Sequence, residues 1–254
     1  MATKDITWRQ PRVLGWLGFF GAVLAVWVGV YLMARDGSGW ICGPDVVYLL
    51  PLGGFWTLFA MWSVMMLAMM LPTLVPTLHA YDDLGRVTGA GRAGWLGLIA
   101  GYGAVWIIGS AGFAALQVLA LRFGLIGLNG AASNLWLAAA LFVLAGLWQF
   151  TRTKEACQSG CLTPIQYFMA NWQPGIFGGW RMGVDIGLTC VGCCWAIMML
   201  GFVGGVMSLL WMGLATVFMV AEKLPDIGAH LRRPGGIILL VAGLACVLRA
   251  GGVV

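Results

Sequence analysis

Long apolar runs, set apart by short polar segments, dominate this chain. They extend from about Val13 to Met33, Gly54 to Leu78, Ala93 to Leu121 and Ala132 to Phe150. A stretch from Met182 to Leu224 is too long for one helix and divides near Gly204, Gly205 and Ser208, and a last run covers about Gly235 to Leu248. Crossing a bilayer takes about 20 apolar residues, so the pattern predicts seven transmembrane helices. Helices are expected because hydrocarbon offers no partner to an exposed backbone amide, and the alternating pattern of a barrel is absent. The first run follows Lys4, Arg9 and Arg12, as a signal peptide would. Its length and the poor cleavage sequence Ala34-Arg35-Asp36 instead predict a retained helix.

The basic residues orient these spans. With the N-terminus inside, Lys4, Arg9, Arg12, Arg86, Arg92, Arg152, Lys154, Arg181, Lys223, Arg232 and Arg233 fall on the cytoplasmic side, and only Arg35, Arg122 and Arg249 fall outside. That bias predicts the N-terminus in and the C-terminus out. Most Trp residues, among them Trp40, Trp56, Trp95, Trp172 and Trp180, lie near span ends, as an interfacial belt requires. Trp62 and Trp195 do not, and they start matching segments, Trp62-Ser63-Val64-Met65-Met66-Leu67 and Trp195-Ala196-Ile197-Met198-Met199-Leu200. The match raises an inverted repeat of helices one to three and four to six, as in several transporter folds.

Composition strengthens this picture. The 254 residues are 61% hydrophobic and 9% charged, with a mean hydropathy of +0.93, against about 25% charged in ordinary globular domains. Such a chain cannot cover a water-facing surface, so a soluble enzyme, a disordered chain and a nucleic-acid binder are excluded. The net charge of +5 reports topology rather than an acidic partner. The expectation is one integral membrane domain over residues 1–254, with the lipid bilayer as its first partner.

Sulfur is concentrated. Met61, Met65, Met66, Met69 and Met70 lie in the second span, and Met198, Met199, Met207, Met212 and Met219 in the fifth and sixth, together ten of 14 Met. Met61, Met65 and Met69 share one helical face, and Cys190, Cys193 and Cys194 are spaced i, i+3, i+4, which places three thiols on one side with Met198 a turn beyond. Met also fills irregular helix gaps and buried Cys is often inert, but thiolate and thioether are the ligands that select Cu(I). Adjacent thiols on one helix suit a disulfide poorly. Cys157 and Cys161 are expected in a cytoplasmic loop, where thiols stay reduced, as a soft-metal pickup pair or structural thiols. Cys42 and Cys246 are uninformative alone. Pro72 and Pro76 break the second span after its Met run, and broken helices line substrate sites in many transporters. His79, Asp185 and Glu222 are expected near the cytoplasmic surface as interfacial groups, Glu222 beside Lys223 as a boundary ion pair. Together with Cys157 and Cys161 they could line a vestibule under the sulfur layer.

Four motifs occur together: M-W-x-x-M-M-x-A-M-M-L-P from Met61 to Pro72, C-x-x-x-C-x-x-P from Cys157 to Pro164, G-x-x-C-x-G-C-C-W from Gly187 to Trp195, and Glu222-Lys223-Leu224. Over about Phe55 to Leu224 the chain resembles the bacterial domain-of-unknown-function family described as predicted metal-binding integral membrane proteins. The resemblance implies a multi-pass protein of a bacterial inner membrane and a metal that it does not name. Leu162-Thr163 stands where an Arg and a small residue would be expected, which removes the basis for carrying over any anion or partner contact of that Arg.

The residues themselves favour a soft ion, copper first, held by Cys190, Cys193 and Cys194 with Met61, Met65 and Met69. Met198, Cys157, Cys161, His79 and Glu222 are further candidates. The leading function is copper handling, transport or delivery, with a membrane cuproenzyme complex or a metallochaperone as partner. A structural or accessory subunit, with Met and Cys as packing, and a membrane thiol oxidoreductase using Cys193 and Cys194 are the competing classes. No nucleophile–base constellation, phosphate loop or nucleotide motif is visible, so an ordinary enzyme and pumping by this chain alone are not expected.

Overall fold

A computed structural model describes residues 11–35, 53–88, 91–127, 129–206, 208–224 and 227–252. Cys42 and Met207 lie outside the described residues. The fold is all-α. The chain runs through α1 (Pro11–Arg35), α2 (Gly53–Met70), a 3-10 turn (Pro72–Leu74), α3 (Val75–Thr88), α4 (Arg92–Arg122) and α5 (Leu135–Trp148). It continues through α6 (Arg152–Leu162), α7 (Pro164–Asn171), α8 (Gly175–Met199), α9 (Gly201–Gly204), α10 (Leu209–Ala221) and α11 (Gly228–Ala250).

Among the described residues, five segments are long and apolar enough to cross a membrane: 14–32, 54–85, 92–122, 175–204 and 228–250. The bent pair α5 and α6, whose axes differ by 63°, makes a sixth if counted as one span. Two predicted spans are therefore shorter than expected. A straight helix of 14 residues, the length of α5, reaches only about 21 Å, against a hydrocarbon core of about 30 Å. Its polar continuation does not lie in a loop. Thr151 caps α6 by accepting from the Lys154 amide, and α6 folds back onto α8. Similarly, α10 has 13 residues, because Gly205, at φ 90°, turns the chain before Ser208 caps the new helix by accepting from the Trp211 amide.

At the centre α4 and α8 touch backbone to backbone. A methyl group added at Gly97 or Gly101 would collide with the carbonyls of Ile176 or Trp180, and one at Gly183 with that of Leu98. Small residues let membrane helices approach this closely, and here they bring Tyr102 on α4 within reach of Cys190 on α8. Gly183→Leu is therefore expected to cost about 1–3 kcal/mol by overpacking, read as a lowered unfolding midpoint in detergent. An unchanged midpoint would refute the contact. Outward faces remain apolar: Leu14, Leu17, Leu24, Ile108, Leu210, Val217 and Ile238 are all exposed, a surface suited to lipid rather than water.

The break in the second run has a specific consequence. Pro72 has no amide to give, which leaves the Ala68 carbonyl free at i−4, and Trp27 Nε1 on α1 donates to it at 2.9 Å. The next residues tighten into the 3-10 turn, where the Leu74 amide bonds Leu71. The Met70 carbonyl is thus released from the helical ladder, and it accepts from Thr73 Oγ1 at 2.8 Å and from Tyr102 OH at 3.3 Å.

Candidate metal centre

The predicted i, i+3, i+4 spacing on α8 does bring the three thiols together. Cys190, Cys193 and Cys194 are buried, and their sulfurs lie within 4.8 Å of one another. Cys193 Sγ is 3.2 Å from Cys194 Sγ and donates to the Cys190 carbonyl at 3.2 Å. All three are free cysteines. Their mutual distances suit convergence on one soft ion, since a metal–thiolate bond is about 2.3 Å.

The kinked second run frames the first thiol. Tyr102 OH lies 3.0 Å from both Cys190 Sγ and Thr73 Oγ1. Lys223 then closes the group: its ammonium donates to Thr73 Oγ1 at 2.9 Å and to Cys190 Sγ at 2.7 Å. Lys223 is only 5% exposed, and a buried ammonium is costly without an anionic or strongly polar partner. Here that partner is a sulfur rather than a carboxylate.

A second buried cation supports the cluster from behind. Lys154 Nζ donates to Glu222 Oε2 and to the Cys193 carbonyl, both at 2.7 Å. Gln149 Nε2 donates to the other Glu222 oxygen at 3.0 Å, and Gln158 Nε2 to the Glu222 and Gly228 carbonyls. Glu222 is therefore buried and paired with Lys154, 68 positions away, rather than with its neighbour Lys223 at a boundary. Two residues counted as cytoplasmic, Lys154 and Lys223, are thus interior groups.

The remaining candidates divide. Cys161 is buried on α6 beside the Cys193 thiol. Cys157 is half-buried over Gly192, where an added methyl would meet its sulfur at 2.6 Å. The pair expected in a loop thus lies on a helix packed against α8, with Cys161 at the thiol cluster and Cys157 over Gly192. His79 is exposed and stacks on Trp16, with ring centroids 4.2 Å apart, so the structure does not bring it to the cluster. Asp185 is exposed and accepts from Tyr167 OH at 2.9 Å. Burial first, and then that bond, holds the Tyr167 phenol well above its ordinary range. Cys246 is half-buried on α11.

Met61, Met65, Met69 and Met198 are all buried. Met65, Met66, Met69, Met198 and Met212 line a cavity of about 20 Å³ on which no cysteine borders, and Met61 lies one turn from it on α2. Met65, Met69 and Met198, expected as ligands beside the thiols, thus share the wall of one cavity. Tyr102, Thr73 and Lys154 were not singled out from the sequence as site residues, and Lys223 entered only as the expected boundary partner of Glu222. The signal available was the pair of lysines at the edges of long apolar runs, since intramembrane charge is expensive and usually functional.

No curated protein and no solved structure matches the chain. The family described as PpoB2, copper chaperone, matches residues 59–246, a range that holds the second-span Met run, the α6 cysteines, the thiol triad and Lys223. With most of its length matched and three buried thiols gathered within it, the chain belongs to the PpoB2 copper-chaperone family.

Proposed function

We propose that this protein is a membrane-embedded Cu(I) chaperone that holds its cargo between Cys190, Cys193 and Cys194 and delivers it to a membrane cuproenzyme. The observation that carries the reading is the Lys223 ammonium 2.7 Å from Cys190 Sγ, inside a triad of buried thiols. Inert packing cysteines need no buried cation beside them. A Cu(I) ion held by two thiolates carries a net negative charge, and in a medium of low dielectric that charge needs compensation. Lys223 supplies it, while Lys154 and Glu222 neutralise one another. Tyr102 and Thr73 hold Lys223 and Cys190 in register, much as outer hydrogen bonds orient ligands in other metal sites.

Loading would release thiol protons as copper–sulfur bonds form. Cys161 beside Cys193, with Cys157 one turn further out, offers a thiol route between the triad and the protein's edge. In this reading the apolar faces contact lipid in a bacterial inner membrane, with seven helical segments, the N-terminus inside and the C-terminus outside. The exposed leucines and the skew of the basic residues support that placement.

Lys223→Met tests the electrostatic part. The substitution keeps the volume and removes the charge, and it strands no buried ion in the metal-free protein, because Cys190 can stay a neutral thiol. Losing a charge-assisted contact of about 1.5–3 kcal/mol would weaken Cu(I) retention about 10- to 100-fold, measured by competition with a Cu(I) chelator. Retention equal to wild type, or tighter, would show that the ammonium does not serve the bound ion.

A further inference from the structure

We propose that the methionine cavity is a second, thioether-only site for Cu(I) or its surrogate Ag(I), separate from the cysteine triad and weaker than it. The inference rests on the copper reading above only for the identity of the cargo. The cavity measures about 20 Å³ and gathers five thioethers from three helices: Met65, Met66 and Met69 on α2, Met198 on α8, and Met212 on α10. Trp62, Trp211, Ile197, Gly201, Val206 and Ala215 form the rest of its wall.

Three features favour a soft cation there. The volume admits a particle of about one water's size, which needs about 10–15 Å³, but water also needs two to four polar partners. The polar atoms of this wall are scarce, because Trp62 Nε1 already donates to Gln117 Oε1 at 2.7 Å. Thioether sulfur is a ligand for Cu(I) and related soft ions and a poor one for hard divalent cations. The indole π-systems add attraction for a bare cation, and the Trp62 ring is fixed between Phe113 and Phe202, with centroids 4.9 Å and 5.6 Å away. Packing alone does not require five methionines around a void that leucine side chains would fill.

The position relative to the triad gives the site a use. Met198 follows Cys194 by one turn of α8, an axial step of about 6 Å. Neutral thioethers leave the ion its full positive charge in a buried place, so it is held less firmly than between thiolates beside Lys223. A weak site one turn from a tight one is where cargo waits while the triad is filled or emptied.

The test uses the full chain purified in detergent, with Ag(I) as a redox-inert probe, bound metal read by mass spectrometry and the indoles by tryptophan fluorescence. Wild type is expected to bind about two ions and the Cys190→Ser, Cys193→Ser, Cys194→Ser variant about one, with fluorescence quenching retained in that variant. Changing Met65, Met69, Met198 and Met212 to Leu, a volume-conserving swap, is expected to remove the weaker ion and the quenching while the triad still loads. A triple-serine variant that binds no silver overturns the second site, as does an all-leucine variant that still binds two. If the triple-serine variant instead retains both ions, the triad reading fails and the cavity stands. Should the leucine variant not fold, selenomethionine-labelled triple-serine protein loaded with Ag(I) decides the matter without it. A silver–selenium distance in its X-ray absorption spectrum is expected, and its absence overturns the site.

Discussion

Protein in which Cys190, Cys193 and Cys194 are all changed to Ser is expected to retain about a tenth or less of the tightly held copper that wild type keeps through chelator washing. The three thiols lie within 4.8 Å on one face of α8, and replacing soft sulfur by hard hydroxyl removes the preference for Cu(I) with little change of volume. The helix itself should survive, because its close contact with α4 depends on Gly179, Gly183 and Gly187 rather than on the cysteines. The matched control is Cys246→Ser, on α11, which should retain wild-type copper. Full copper retention by the triple variant would end the chaperone assignment of this site.

Glu222→Gln is expected to destabilise the fold by about 3–5 kcal/mol, because it strands a buried ammonium without its counter-charge. Lys154 and Glu222 side chains are 1% and 3% exposed and meet at 2.7 Å, so neither can turn to water when its partner goes. The double variant Lys154→Met, Glu222→Gln should recover most of the loss, since exchanging a whole buried pair for neutral groups is often close to neutral. Denaturant titration in detergent measures both. Equal destabilisation by the single and double variants would mean that the pair stabilises the fold through its attraction rather than merely satisfying itself. Because Lys154 also donates to the Cys193 carbonyl, copper retention in the double variant additionally reports whether that bond positions the triad.

Several elements were readable from local pattern. The break near Gly204, Gly205 and Ser208 was visible because an apolar run of that length is too long for one helix and carries two adjacent glycines, and the structure turns there, with Ser208 as the cap of the next helix. The Pro72 interruption was equally visible. What it does was not: the released Met70 carbonyl holds Tyr102 and Thr73, Tyr102 meets Cys190, and Thr73 holds the Lys223 ammonium that donates to the same thiol. The segment Arg152–Leu162 misled for a physical reason. Its polar residues between two apolar runs match a cytoplasmic loop, yet Lys154 and Gln158 find buried partners in Glu222 just after α10, Gly228 on α11 and Cys193 on α8, so the segment packs inward as a helix. Its thiols are carried toward the triad with it.

By itself the sequence determined an all-helical apolar fold, most of its breaks, and the common face of Cys190, Cys193 and Cys194. Those features depend on neighbours within a turn or two and on the exclusion of unpaired backbone from hydrocarbon. Only the tertiary structure decided that Lys223 meets Thr73 across 150 positions, that Glu222 pairs with Lys154, and that methionines from three helices line one cavity. Those outcomes depend on how closely helices approach and at what rotation. Here glycine-to-backbone contact between α4 and α8 sets that approach, and no periodicity along a single helix records it.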